Sequence, residues 1–185
     1  MEVNGHVISL RATTDAPLGD YAEGLVIQHT YDVVGRPAGD ADEWRMPPIH
    51  VGVVEAYVLL AGRGHLEALL EDADAESNDI YRVAKAIYAA GTDDEASILD
   101  TVYVARIEID EAWRGHRLGL LVAEAIIHRH GESSNVALIP EGGNKGLAQY
   151  WGKLGLAQVL RPNDGEPGIL WHPGYLVRHR CQETA

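Results

Sequence analysis

Two arginines and two glycines crowd one short stretch, Arg114-Gly115-His116-Arg117-Leu118-Gly119, at the point where the sequence changes period. Upstream, Tyr103, Ala105, Ile107 and Ile109 alternate with Val104, Arg106, Glu108 and Asp110, the two-residue repeat of a half-buried strand. Downstream, Leu118, Leu121, Val122, Ala125 and Ile126 recur at the spacing of an amphipathic helix, and Gly131 behind His128 and His130 supplies a stop. The first N–H groups of a helix lack intrahelical partners and sit at the positive end of its dipole, and glycine lets a ligand close to the main chain. The junction is therefore a candidate cradle for a phosphate. A tight strand-to-helix connection with surface arginines accounts for the same residues equally well.

The other chemistry-bearing side chains form weaker sets. His128 and His130 stand two apart on a helix and cannot converge on one metal; near the helix end they suit the negative pole of its dipole. His172 and His179 have no ligand partner at a recognisable spacing. Gly142-Gly143-Asn144-Lys145 lacks the length and the hydroxyl residue of a phosphate-binding P-loop, and Gly62-Arg63-Gly64 does not continue into a dinucleotide fingerprint. The single cysteine, Cys181, excludes an internal disulfide framework and a multi-cysteine zinc site, and accords with a reducing compartment. No metal is expected.

The elements that must hold the junction follow from the same patterns. Residues 7–12, 25–31 and 49–60 are alternating or β-branched runs bounded by glycine, proline and aspartate, and read as strands. Residues 65–70 carry a short helical pattern. Ser77, Asn78 and Asp79 cap a second helix whose apolar face is Ile80, Val83, Ala84, Ile87 and Tyr88, with Gly91 after its end. Beyond the central helix, residues 135–139 make a strand broken by Pro140, and Leu147, Tyr150, Trp151 and Leu154 face one side of a helix ended by Gly155. Residues 157–160 and 168–172 read as two closing strands. Alternating strands and helices predict an α/β (α+β) fold with a mixed central sheet of about six to seven strands flanked by helices.

At 185 residues and 20.1 kDa, with 46% apolar and 23% charged residues, the chain is expected to form one domain over residues 1–185. Glu55 and Glu124 interrupt the two most apolar stretches, and no basic segment leads into an apolar one at the start, so a cytoplasmic protein without membrane contact is expected. A formal charge of -13 argues against sequence-independent nucleic-acid binding. The acidic excess lies mostly in the first hundred residues, whereas Arg114, Arg117, Lys145 and Lys153 lie near the glycines. An anionic cofactor in one region and a cationic substrate in another are compatible with that split, although most carboxylates suit a solvated surface. A homodimer is allowed and not required.

Residues 102–172 resemble the acetyl-CoA-binding segment of the GNAT superfamily of N-acetyltransferases. The family pattern at the strand-to-helix loop is Arg or Gln, two residues, Gly, one residue, then Gly or Ala. Arg114 opens it and Gly119 closes it, with Arg117 where the first motif glycine is expected. A second pattern, Asn-x-x-Ala-x-x-x-Tyr-x-Lys-x-Gly-Phe, is met by Asn144, Lys153 and Gly155, with Trp151 in register with the tyrosine. The resemblance implies a GNAT-like fold and acetyl-CoA as co-substrate. It implies that main-chain amides of Gly115, His116, Arg117, Leu118, Gly119 and Leu120 hold the pyrophosphate. By the same resemblance the main chain of Ile107 to Ile109 pairs with the pantetheine arm, Asn144 bonds the arm from the other side, and Trp151 joins the cofactor contacts. Arg117 is expected to take a helical backbone, which suits any L-residue, and to add a charged contact to a phosphate.

The implied reaction is acetyl transfer to an amine of a small molecule or protein, an acceptor that can itself be cationic. It needs a neutral amine, donors for the thioester carbonyl and a proton for the departing sulfur. Lysine-like amines titrate near pH ~10, so a base or water chain helps. Glu108, on the strand before the loop, is the candidate; an exposed strand residue paired with a neighbouring arginine is the plainer use of it. Indole N–H is no useful acid, so Tyr150 is the candidate proton donor, although adjacent helical residues point about 100° apart. Three alternatives stay open: the thiolate leaves without that acid, Tyr150 reaches it, or the chain binds acyl-CoA as a sensor or partner-binding module with little turnover.

Overall fold

The computed structural model describes residues 2–18, 24–39, 47–61, 66–91, 99–131, 134–140, 145–160 and 168–172. Asn144, the Gly62-Arg63-Gly64 turn, His179 and Cys181 lie outside these residues.

Strand β1 (Glu2–Val3) turns back into β2 (His6–Leu18) through Asn4 and Gly5, whose φ values of 51° and 71° are those that an Asn-Gly hairpin turn requires. Then come β3 (Val26–Pro37), β4 (Ile49–Leu59), helices α1 (Leu66–Glu76) and α2 (Asn78–Gly91), and β5 (Thr101–Ile109). Helix α3 (Leu118–His130), β6 (Asn135–Leu138), α4 (Lys145–Gly152), β7 (Ala157–Leu160) and β8 (Ile169–His172) complete the order. Among the described residues the strands form one eight-stranded sheet in the order β1-β2-β3-β4-β5-β6-β8-β7. This is the mixed sheet flanked by helices expected from the sequence, with β1 added at its edge. All neighbours are antiparallel except β5 and β6, and a parallel pair needs a crossover, which α3 provides.

Two apolar clusters sandwich the sheet. On one face Leu118, Val122 and Ile126 of α3 pack on Tyr31, Val54, Val102, Val104 and Val136. On the other, Leu69 and Ala73 of α1 and Ile80, Val83, Ala84 and Ile87 of α2 pack on Val26, Leu59 and Tyr103. Helix α1 runs on from the expected residues 65–70 to Glu76 because Leu69 and Ala73, four apart, continue one buried stripe. Its Asp72 accepts a hydrogen bond from the Leu25 amide at 3.0 Å, which ties the helix to the start of β3. Ser77 caps α2 through its hydroxyl oxygen, which accepts the Ile80 N–H at 3.2 Å.

The alternation expected along β5 breaks in the middle. Glu55 faces Arg106 and Ala56 faces Val104, so Ala105 has no counterpart on β4 and forms a bulge. Tyr103 therefore lies on the α1–α2 face, whereas Ile107 and Ile109 join Val102 and Val104 on the α3 face. A small apolar residue at the extra position leaves the pattern of the sequence apparently unbroken.

Candidate active site

The bulge opens the sheet. β5 and β6 pair from Thr101 with Asn135 to Val104 with Leu138, and there the ladder ends. Beyond it β6 gives way to Ile139 and Pro140, the latter without an N–H, while β5 runs on to Ile109 paired with β4 and, among the described residues, with no strand on its other side. The Asp110 N–H donates to Val51 O at 2.9 Å on the β4 side. Since backbone groups alternate direction along an antiparallel strand, Ile107 and Ile109 turn their N–H and C=O groups to the open side. Glycine at 52 lets the Glu108 carbonyl lie against β4 closer than any side chain would permit. The wedge between the strands is a pocket of about 210 Å³ lined by residues 104–107, Leu138, Ile139, Pro140, Leu147 and Trp151.

The open edge leads to the start of α3. Arg117 is the N-cap residue, and contrary to the helical backbone expected for it, it is left-handed, with φ 58° and ψ 21°. The left-handed region costs an ordinary L-residue roughly 1–2 kcal/mol, whereas glycine enters it freely. Gly115 has φ 89°, so left-handed residues flank His116. Consecutive N–H groups in such a turn aim to one side and form a concavity suited to an anion. The first helical bond runs from the Leu121 N–H to Arg117 O at 3.2 Å, which leaves the amides of Leu118, Gly119 and Leu120 without intrahelical partners. Ile109, Trp113, Arg114, Gly115, Arg117, Leu118, Gly119 and Tyr150 line a pocket of about 270 Å³ at this point.

Three contacts hold the loop. Arg114 Nε donates to Ile109 O at 2.9 Å, so the first residue of the motif braces the loop against the end of β5. His116 Nε2 is hydrogen-bonded to Asn4 Nδ2 at 3.1 Å, and Trp113 meets His6 edge to face with ring centroids 5.3 Å apart. Asn4, His6 and Trp113 escaped sequence reasoning as site residues, because the first two lie more than a hundred positions from the loop. An Asn-Gly pair at residues 4 and 5 favours a hairpin turn, but nothing in it points to the loop.

Helix α4 forms the far wall. A side chain built on Gly119 would place its Cβ 3.6 Å from Tyr150 Oη and 3.9 Å from Trp151 Cη2, so both aromatics cover the first turn of α3. The two rings meet edge to face at 5.0 Å. Tyr150 lines the α3 pocket and Trp151 the wedge between the strands, as their different directions on one helix require. Gly155, with φ 76°, ends the turn after α4 as expected.

Glu108 lies apart from this groove, on the sheet face opposite Ile107 and Ile109. Its carboxylate accepts a hydrogen bond from Arg106 Nη2, the neighbouring arginine of the plainer reading. Arg106 also stands 4.0 Å from Glu55 on β4. Further along the same face Tyr57 and Tyr103 stack with centroids 6.3 Å apart. Burial first, and then the Glu55 and Glu76 carboxylates, raise the Tyr57 pKa above the ordinary phenol value. Burial, with Asp79 second, raises that of Tyr103. Among the described residues no group of three His, Cys, Asp or Glu is placed to hold a metal ion, and no helix is long and apolar enough to cross a membrane.

No family model matches the chain, and no curated protein does. Solved structures match at low identity. A chain of the KacTA–DNA complex has 12% identity and a TM-score of 0.49, over 96% of this chain and 99% of that one. NAA60 of Arabidopsis thaliana, in complex with acetyl-CoA, has 11% identity and a TM-score of 0.46, over 81% and 77%. At 15% identity the mosquito arylalkylamine N-acetyltransferase like 5b has a TM-score of 0.43, over 80% and 74%. Such likeness is one of chain path, and in its path this chain is similar to solved structures that include an arylalkylamine N-acetyltransferase.

Proposed function

We propose that the chain is an acyl-CoA-dependent N-acetyltransferase that moves an acetyl group from acetyl-CoA to an amine. One observation carries the reading: a β5 edge without a strand partner among the described residues runs from a wedge in the sheet to an anion-suited helix start. Four residue steps from Ile109 to Ala105 span about 13 Å of extended backbone, enough for an arm that enters at the helix and ends in the wedge. A ligand with an anionic head and an amide-bearing arm matches both ends, because the helix start offers N–H donors and the edge offers donors and acceptors in turn. The residues present fit acetyl-CoA, which would supply the acyl group as a thioester.

In this reading the amides of residues 115–120 hold the pyrophosphate, with the Arg117 guanidinium beside it. Ile107 and Ile109 bond the arm through their main chain, and Trp151 packs over its far end. Arg114 positions the loop, since its Nε is committed to Ile109 O. Glu108 takes the amine proton through water, and the Arg106 hydrogen bond holds its carboxylate in place. Among the described residues lining the two pockets Tyr150 carries the one hydroxyl; it lies above Gly119 at the phosphate end, so as the proposed proton donor it would reach the sulfur only through a chain of waters along the open edge. Trp151 favours a second reading, a CoA-binding sensor or partner module with little turnover, because the side chain in the wedge has no acidic proton to give.

Thermal unfolding with and without acetyl-CoA, together with release of free CoA thiol over a panel of amines, tests both. A raised melting temperature with thiol release is the expected result. A raised melting temperature without release supports the binding module, and an unchanged melting curve at millimolar acetyl-CoA removes both.

A further inference from the structure

Arg106 is shared between two carboxylates. It hydrogen-bonds Glu108 on its own strand and stands 4.0 Å from Glu55 across the ladder. One guanidinium between two carboxylates leaves the set with one negative charge in excess. Glu108 takes the direct hydrogen bond, so Glu55 is the carboxylate with acceptor capacity to spare. Its side chain is 36% exposed, open to a ligand yet shielded enough for a charge pair to be stronger than on open surface. Its position is specific as well. Glu55 pairs with Arg106 and its neighbour Ala56 with Val104, so it sits beside the Ala105 bulge, where the open edge begins.

Two residues on along the same face is Tyr57, half-buried, with its ring stacked on Tyr103. Glu76 and Asp79 add to the negative side of this region, and Arg82 is already paired with Asp79 at 3.2 Å. A cation with a short apolar body finds there a carboxylate, an aromatic face and no uncommitted arginine in this set.

We propose that Glu55 binds the ammonium group of the acceptor, that Tyr57 lies beneath its carbon chain, and that the acceptor is a primary alkyl amine without a carboxylate beside its nitrogen. The inference rests on the acetyltransferase reading and names the acceptor side of the same site. The ammonium held by Glu55 gives one proton to solvent through Glu108. The neutral nitrogen then forms a bond to the thioester carbon, the carbon–sulfur bond breaks, and the second nitrogen proton ends on sulfur, yielding an amide and free thiol. A carboxylate next to the nitrogen would meet Glu55 and Glu108 at once, and like charges at that distance repel.

The test follows thiol release from acetyl-CoA with n-butylamine and with norvaline, which is the same chain bearing a carboxylate beside the nitrogen. Parent protein, Glu55→Gln and Glu55→Asp are compared. The parent is expected to use n-butylamine at least about tenfold more efficiently than norvaline. Loss of a charged hydrogen bond predicts that Glu55→Gln raises the KM for n-butylamine about tenfold or more, with a smaller change in kcat. Glu55→Asp should recover part of the loss, and acetyl-CoA should still raise the melting temperature of all three proteins. An unchanged KM in Glu55→Gln overturns the inference, as does a parent that releases no thiol with n-butylamine or prefers norvaline while acetyl-CoA still stabilises it. If acetyl-CoA fails to stabilise the parent, the acetyltransferase reading itself falls, and the acceptor assignment with it.

Discussion

β5 is one strand with two characters. Thr101, Val102, Tyr103 and Val104 are all buried and are paired on both sides, to β4 and to β6. Past the Ala105 bulge, Ala105, Arg106 and Glu108 are exposed, Ile107 and Ile109 are half-buried, and among the described residues strand pairing persists on the β4 side alone. The first half satisfies its backbone within the protein. The second keeps donors and acceptors that a ligand can use, which is possible only where a neighbouring strand has been withdrawn. The bulge does both, since it ends the pairing with β6 and turns Arg106 and Glu108 onto the face away from α3.

Substitutions on either side of this division should therefore read out in different assays. The largest effect is expected where the open edge meets α3. Gly119→Glu would set a carboxylate against the pyrophosphate and beneath Tyr150, and should abolish the stabilisation by acetyl-CoA. At ligand concentrations near a thousand times Kd that stabilisation amounts to about 4 kcal/mol. Thermal unfolding at millimolar acetyl-CoA measures it, and a variant still stabilised like the parent would detach the helix start from the cofactor. Next comes Val102→Ala. At 1% exposure in the α3-side core, losing its two methyls should cost about 2 kcal/mol in urea unfolding while acetyl-CoA binding persists. Ile107→Ala, on the half-buried side of the bulge, should cost about half as much stability and more ligand affinity. Equal stability losses would mean that the bulge does not divide the strand energetically.

Much of this was legible in sequence because it is local. The stripe from Leu118 to Ile126, the Ser77 cap, the Pro140 break and the Gly155 stop all depend on spacing within a few residues. The bulge was not legible, since Ala105 fits a two-residue repeat as well as it fits an insertion, and only the register of β4 shows the extra residue. Nor was the backbone of Arg117, because nothing in an arginine announces a positive φ. The loop's partners Asn4 and His6, and the meeting of Glu55 with Arg106, are long-range pairings with no periodic signature. Tyr150 and Trp151 could be set about 100° apart from the helix period alone, but their assignment to different pockets needed the position of Gly119.

A pH series sharpens the buried side of the comparison. Tyr103 has a phenol pKa raised above the ordinary value in the folded chain, so below pH ~10 both states are protonated and the group is neutral in its effect. Above that the unfolded chain releases the proton first, the folded state binds more protons, and stability falls as pH rises. The slope approaches about 1.4 kcal/mol per pH unit for a single phenol. Urea unfolding at pH 9 and pH 11 should show the parent losing on the order of 1 kcal/mol more than Tyr103→Phe. Identical losses would place the phenol in contact with solvent.

The smallest effect tests the helix start itself, and its sign is the informative part. Arg117 holds φ 58° with no hydrogen bond from its side chain to the helix, so the protein bears the cost of a left-handed arginine without a capping bond to offset it. Glycine enters that region freely, though it gives the unfolded chain more freedom, and the two terms oppose each other. Arg117→Gly should accordingly leave a net gain of about 0.5 kcal/mol in the absence of ligand, against the usual direction for a substitution to glycine. The same variant should be stabilised less than the parent by acetyl-CoA, because the guanidinium beside the phosphates is gone. A gain without ligand and a deficit with it would mark the arginine as retained for binding at the expense of fold. A loss in both conditions would instead assign the side chain a structural contact in the loop and remove it from the phosphate site.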